Sequence, residues 1–168
     1  MVDATIQLQL VRQYRAALAM LKQAIETCPE ELWLDAKPRN KYWHIAYHAL
    51  FYAHFYVQAS DKDFVPWAKH QQDANFLGAR PGAPKEPQAV IEPYSREDLL
   101  EYAEFCRNEV SAKVPLDNLD GPSGFYWLPF DRLELHLYNL RHLAHHTGQL
   151  ADRLRNATGK GVGWVLQG

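Results

Sequence analysis

Seven of the eight histidines in this sequence fall in two short segments, residues 44–54 and 136–146. Neutral imidazole is the commonest protein ligand for transition metals, so such clustering first raises metal chemistry. On a helix, at about 100° per residue, His142 and His146 lie one turn apart and within about 40° of each other. That spacing lets one helix offer two nitrogens to a single ion. His145 projects instead with Arg141 and Asp152 and is expected to be solvated. His136 falls inside a leucine stripe and is expected to be a hydrogen-bonded core residue.

A metal site needs a third protein ligand, and His44, His48 and His54 supply the choice. His44 and His48 share a helical face with Phe51, Tyr52 and Phe55, whereas His54 points elsewhere. His48 stands nearest the middle of its segment, where helices would converge and exclude water, and is the preferred third ligand. His44 and His54 are expected to be core histidines bonded to backbone carbonyls.

The elements that must position these groups read as helices. Between Asp3 and Cys28, Ile6, Leu10, Tyr14, Leu18, Leu21 and Ile25 recur at steps of three and four, and Pro29 ends that pattern. Residues 40–59 hold no glycine or proline and are apolar or aromatic almost all round, as in a helix enclosed by neighbours. A third helix opens at Ser95, with Glu97 and Asp98 in its first turn, carries Leu99, Tyr102, Cys106 and Val110 at helical spacing, and stops at Pro115. A fourth runs over about 131–157 and ends before Gly159. Its main apolar stripe is expected to be Leu133, Leu137, Leu140, Ala144, Thr147, Ala151 and Leu154, flanked by His142 and His146 beside Leu135, Asn139 and Gln149.

Between the second and third helices, residues 61–94 contain Pro66, Pro81, Pro84, Pro87 and Pro93 and cannot sustain a long helix. An ordered connection of that length permits a crossover. The aromatic loop Phe125 to Phe130 is expected to pack into the core. These readings predict an all-α fold, one four-helix bundle domain over 1–168 with almost no sheet.

Composition narrows the function classes. A formal charge of −2 and a pI near 6.4 give no basic footprint for nucleic acid. No stretch approaches the run of about 18 apolar residues that spans a membrane, and the first ten residues lack the cationic start and apolar run of a signal peptide. Cys28 and Cys106 are too few for a disulfide scaffold and too far apart for a CxxC motif, which favours a reducing cytoplasm. The glycines at 159, 161 and 163 follow a helix and precede none, which excludes a dinucleotide cradle.

Trp43-His44-Ile45-Ala46-Tyr47-His48-Ala49-Leu50-Phe51-Tyr52, taken with Leu137-Tyr138-Asn139-Leu140-Arg141-His142-Leu143-Ala144-His145-His146-Thr147-Gly148-Gln149-Leu150, resembles the DinB-like (YfiT-like) metalloenzyme superfamily. The matching pattern is one histidine in the second helix and H-x-x-x-H followed by a G-Q step in the fourth. It falls on His48, His142, His146 and Gly148-Gln149. The resemblance extends over essentially the whole chain, including the crossover and the closing Gly163-Trp164-Val165. It implies an up-down-down-up bundle, frequent homodimers, and a three-histidine site for nickel, zinc or iron. Relatives with assigned reactions include enzymes that use low-molecular-weight thiols. The residue after the second ligand of the fourth helix is often arginine in relatives and is Thr147 here.

Three neutral imidazoles would leave a divalent ion its full charge and an open position, the arrangement that activates a bound water or thiol. The expected function is therefore a metal-dependent transferase or hydrolase acting on a small molecule, with a thiol cosubstrate implied by the resemblance. Asn139 and Gln149 could orient ligands or substrate, and Tyr52, one turn from His48, could donate a proton. Glu134 and Asp152 point away from the ligand face, so no carboxylate base is expected. The competing reading is a stress-related metal-binding or structural bundle without turnover.

Overall fold

The computed structural model of the chain describes residues 2–78, 82 and 90–168. Five α-helices account for most of it: α1 (Val2–Thr27), α2 (Glu30–Trp33), α3 (Tyr42–Phe55), α4 (Arg96–Lys113) and α5 (Arg132–Thr158). Among the described residues there is no strand, only an isolated bridge between Pro122 and Asp131. The expected prolines 81, 84 and 87 lie outside the described residues.

The long helices begin and end where local chemistry dictates. Ser95 caps α4, its hydroxyl accepting from the Asp98 N–H at 3.0 Å. Asp131 caps α5 in the same way, accepting from the Glu134 N–H at 2.8 Å. Gly159 closes α5 at φ 72°, a left-handed turn that costs glycine little, and its N–H donates to the Arg155 carbonyl at 2.8 Å. Pro29 ends α1 as expected, but one further turn, α2, follows it. Burial of Trp33, whose indole N–H donates to the Tyr94 carbonyl at 2.9 Å, holds that turn in place.

α1 packs against α4 and α5, and α3 packs against the same two helices from the other side. The α1 stripe is buried as its spacing predicts, through Leu10, Tyr14, Leu18, Leu21 and Ile25. α3 contributes Ile45, Tyr47, Leu50 and Ala53, all at most 2% exposed. α3 and α5 run antiparallel: Arg153 donates to the Asn40 carbonyl at 2.8 Å, Asn139 to Ala53 at 3.3 Å and Arg132 to Gln58 at 2.8 Å. This pair carries both histidine segments.

Four sequence expectations need correction. The second helix spans 42–55 and not 40–59, because Arg132 takes the Gln58 carbonyl and Gly124 presses on Ala59, where a Cβ would stand 1.9 Å from the carbonyl oxygen. On α5, Leu137 is 55% exposed and Ala144 is exposed, while Leu135, His136, Asn139, Leu143, Leu150 and Leu154 are buried. The buried face is turned because polar His136 and Asn139 enter the core with partners, which a count of apolar positions does not register. His54 bonds the Tyr102 hydroxyl through Nδ1 at 3.1 Å, not a backbone carbonyl. In the aromatic loop Phe125 is buried, but Tyr126 and Trp127 are exposed.

His136 is the hydrogen-bonded core residue its place in the stripe suggested. Its Nε2 donates to Asp117 at 2.9 Å and its Nδ1 accepts from the Tyr14 hydroxyl at 3.1 Å. Arg132 bonds the same carboxylate and also the Ser123 carbonyl, at 2.9 Å. The loop before α5 is thereby fastened to α1, to the end of α3 and to α5 itself.

Candidate metal centre

Antiparallel packing of α3 on α5 brings His48 opposite the pair one turn apart on α5. His48 Nε2 lies 3.0 Å from His142 Nε2, and His146 Nε2 lies 3.2 Å from the same atom. His48, His142 and His146 form the one group of three or more potential metal ligands among the described residues, their ligand atoms all within 4.8 Å of one another. Nitrogens about 2.1 Å from a common ion stand about 3.0 Å apart at octahedral angles and about 3.4 Å apart at tetrahedral ones. The two separations from His142 Nε2 fall in that interval.

The outer ring nitrogens decide what the inner ones offer. His48 Nδ1 lies 2.7 Å from the carbonyl of Asn75, which can only accept, so Nδ1 carries the proton and Nε2 presents a lone pair. His146 Nδ1 lies 2.9 Å from Gln149 Oε1, which fixes the same tautomer. His142 Nδ1 is buried with no partner. At most one proton on His142 Nε2 therefore faces two lone pairs. A cation satisfies all three nitrogens, so the residues present fit a divalent ion.

Electrostatics point the same way. Burial, reinforced by the neighbouring His146, pushes His48 down to about 3, and burial beside His146 and His145 pushes His142 down to about 3. His146 is lowered too, by burial first. All three are neutral at pH 7, the state that ligates. His48 and His142 are half-buried and His146 is 8% exposed, so the centre lies at the edge of the core and not at its middle.

The connection between α3 and α4 folds back along α3. His44 Nε2 bonds the Ala74 carbonyl at 2.8 Å, as expected of a core histidine, and His48 takes the next carbonyl. Tyr47 bonds His70 at 2.6 Å. The Asn75 side chain also lies close to the Tyr52 hydroxyl. No spacing rule links residue 75 to residue 48, so sequence reasoning missed Asn75.

The remaining candidates separate. Tyr52 lies edge-on to His48 and His142, with ring centroids 4.9 and 5.1 Å away, and so borders the centre. Gln149 is exposed and bridges His146 to His145, its Nε2 standing 3.1 Å from His145 Nε2. His145 is exposed as expected, yet it holds the far end of that bridge. Asn139 is fully buried with its amide on the Ala53 carbonyl, where it joins α5 to α3. Glu134 and Asp152 are both exposed and belong to no ligand group.

The family model of the DinB superfamily matches residues 13–150, a span that holds all three histidines, Tyr52, Asn75 and Gln149. No curated protein and no solved structure matches the chain. No helix among the described residues is long and apolar enough to cross a membrane.

Proposed function

The chain belongs to the DinB superfamily, and from that premise we propose that it is a divalent-metal-dependent enzyme, a transferase or hydrolase acting on a small molecule. The observation that carries the proposal is the convergence of three imidazole Nε2 atoms, two with tautomers fixed from outside. His48, His142 and His146 would hold the ion. Nickel, zinc or iron suits an all-imidazole donor set.

A bound divalent ion supplies Lewis acidity, lowering the pKa of a group bound to it so that a nucleophile forms at neutral pH. The chain's own residues do the rest. The Asn75 carbonyl and Gln149 orient His48 and His146, and orienting partners of this kind govern ligand basicity. Tyr52, whose pKa burial raises, keeps its proton at neutral pH and can donate a hydrogen bond to a group at the centre. Asn139 acts from the core by fixing α5 against α3.

Membership of the superfamily supports a low-molecular-weight thiol as cosubstrate and a homodimer as the working unit. Two buried, unpaired cysteines suit a reducing cytoplasm.

Elemental analysis of untagged protein, purified without chelator, tests the proposal beside His48→Ala and His142→Ala. About one nickel, zinc or iron per chain, lost in both variants while helical circular dichroism persists, is the expected result. No stoichiometric metal, even after anaerobic reconstitution with each ion, would leave a structural bundle without turnover.

A further inference from the structure

The ligand group consists of three neutral imidazoles and, among the described residues, no carboxylate joins it. A divalent ion there keeps its whole charge. Near a dication in a half-buried site, the favoured partner is an anion, because Coulomb attraction there is stronger than in bulk water.

What borders the centre is aromatic. Tyr52, edge-on to two of the ligands, lies 6.1 Å from Phe55 and 5.5 Å from Tyr56, and Tyr56 lies 5.6 Å from Tyr138. Tyr52, Phe55 and Tyr138 are only half-buried, on the outer side of a small apolar cluster built on Tyr56, Phe125 and Leu135. The part of these rings left exposed beside the three histidines fits a flat apolar group, although Phe55 is also stacked on Phe51 and Trp127. Aromatic walls also attract organic cations, but here the face of Tyr138 already carries a cation. The Arg141 guanidinium sits 5.3 Å from that ring's centroid. Arg141 is exposed, and no carboxylate of the described residues pairs with it. It adds a second positive charge on the α5 flank that carries Tyr138.

We propose that the centre binds a small organic anion with a flat apolar body: the charged end at the three-histidine ion, the body along Tyr52 and Phe55, with Arg141, over Tyr138, at the rim. This rests on the metal reading above and adds the ligand class to it.

Cobalt(II) loaded into the metal-free protein gives a visible spectrum that reports on its ligands, and benzoate, acetate and benzamide are the probes. Benzoate should perturb the spectrum with a dissociation constant about tenfold below that of acetate, the worth of one good ring contact. Neutral benzamide should leave the spectrum unchanged. Phe55→Leu and Arg141→Gln should take up cobalt normally and bind benzoate several-fold more weakly, with acetate affinity falling only in Arg141→Gln. Equal affinity for benzoate and acetate, or a response to benzamide matching that to benzoate, would overturn the inference. Failure to take up cobalt at all, seen before any probe is added, would instead remove the metal reading beneath it.

Discussion

His48 on α3 and Asn75 in the connection to α4 are joined by a 2.7 Å hydrogen bond from an imidazole Nδ1 to a main-chain carbonyl. A carbonyl cannot donate, so this one contact sets which nitrogen of His48 is free to ligate. The register of the connection along α3 thus becomes a property of the centre, because His44 takes the carbonyl of residue 74 and His48 that of residue 75.

Shifting that register should weaken metal binding without unfolding the bundle. One glycine inserted between Ala74 and Asn75 should cost about 10–100-fold in metal affinity, the usual effect of losing an orienting partner. Helical circular dichroism should be retained. Nitrogen-15 NMR of the metal-free protein at pH 7 should find His48 and His146 protonated at Nδ1. A dominant Nε2–H form of His48 would refute the assignment.

Gln149 gives a side-chain version of the same test. Gln149→Ala removes the acceptor from His146 Nδ1 and should weaken metal binding about tenfold, whereas Gln149→Glu keeps an acceptor there and should bind at least as tightly as wild type. Gln149 is exposed, so calorimetry should show little change in folding stability in either variant. Equal metal affinity in the two variants would mean that Gln149 does not orient His146.

The turned face of α5 predicts unequal costs for two leucines. Leu143 is fully buried, so Leu143→Ala should destabilise by about 2–5 kcal/mol through lost transfer energy and the cavity left behind. Leu137 is 55% exposed, so Leu137→Gln should change stability by no more than about 0.5 kcal/mol. Urea unfolding of both variants decides, and comparable losses would contradict the orientation of the helix.

The helices and the pairing of His142 with His146 were legible because both rest on periodicity, which sequence displays directly, whereas the choice of His48 rested on its place in its segment and on the family resemblance. Steps of three and four placed the α1 stripe and set His142 against His146. The face of α5 was misread for a physical reason: His136 is bonded by Asp117 and Tyr14 and the Asn139 amide N–H by the Ala53 carbonyl, partners that come from other segments, while Asn139 Oδ1 has no partner among the described residues. Asn75 was invisible for a related reason. It acts on His48 through its main chain, which every residue possesses, and its position depends on how the connection folds back.

Asp117 supplies the prediction for acid stability. Burial alone would raise its carboxyl, but hydrogen bonds from His136 and Arg132 outweigh burial and hold it below the usual carboxylate range. A carboxyl whose folded pKa is depressed contributes stability that is full above its unfolded value, about 3.9, and is lost as pH falls through the folded value. Wild-type protein should therefore lose stability below about pH 4, and Asp117→Asn, with no charge to titrate, should lose less over the same interval. At pH 7 the more drastic Asp117→Ala strands a buried guanidinium, since Arg132 is 4% exposed, and should cost about 3–5 kcal/mol. Urea midpoints of the three proteins at pH 7 and at pH 3 make the comparison. Parallel acid losses in wild type and Asp117→Asn would place the acid sensitivity in other carboxylates.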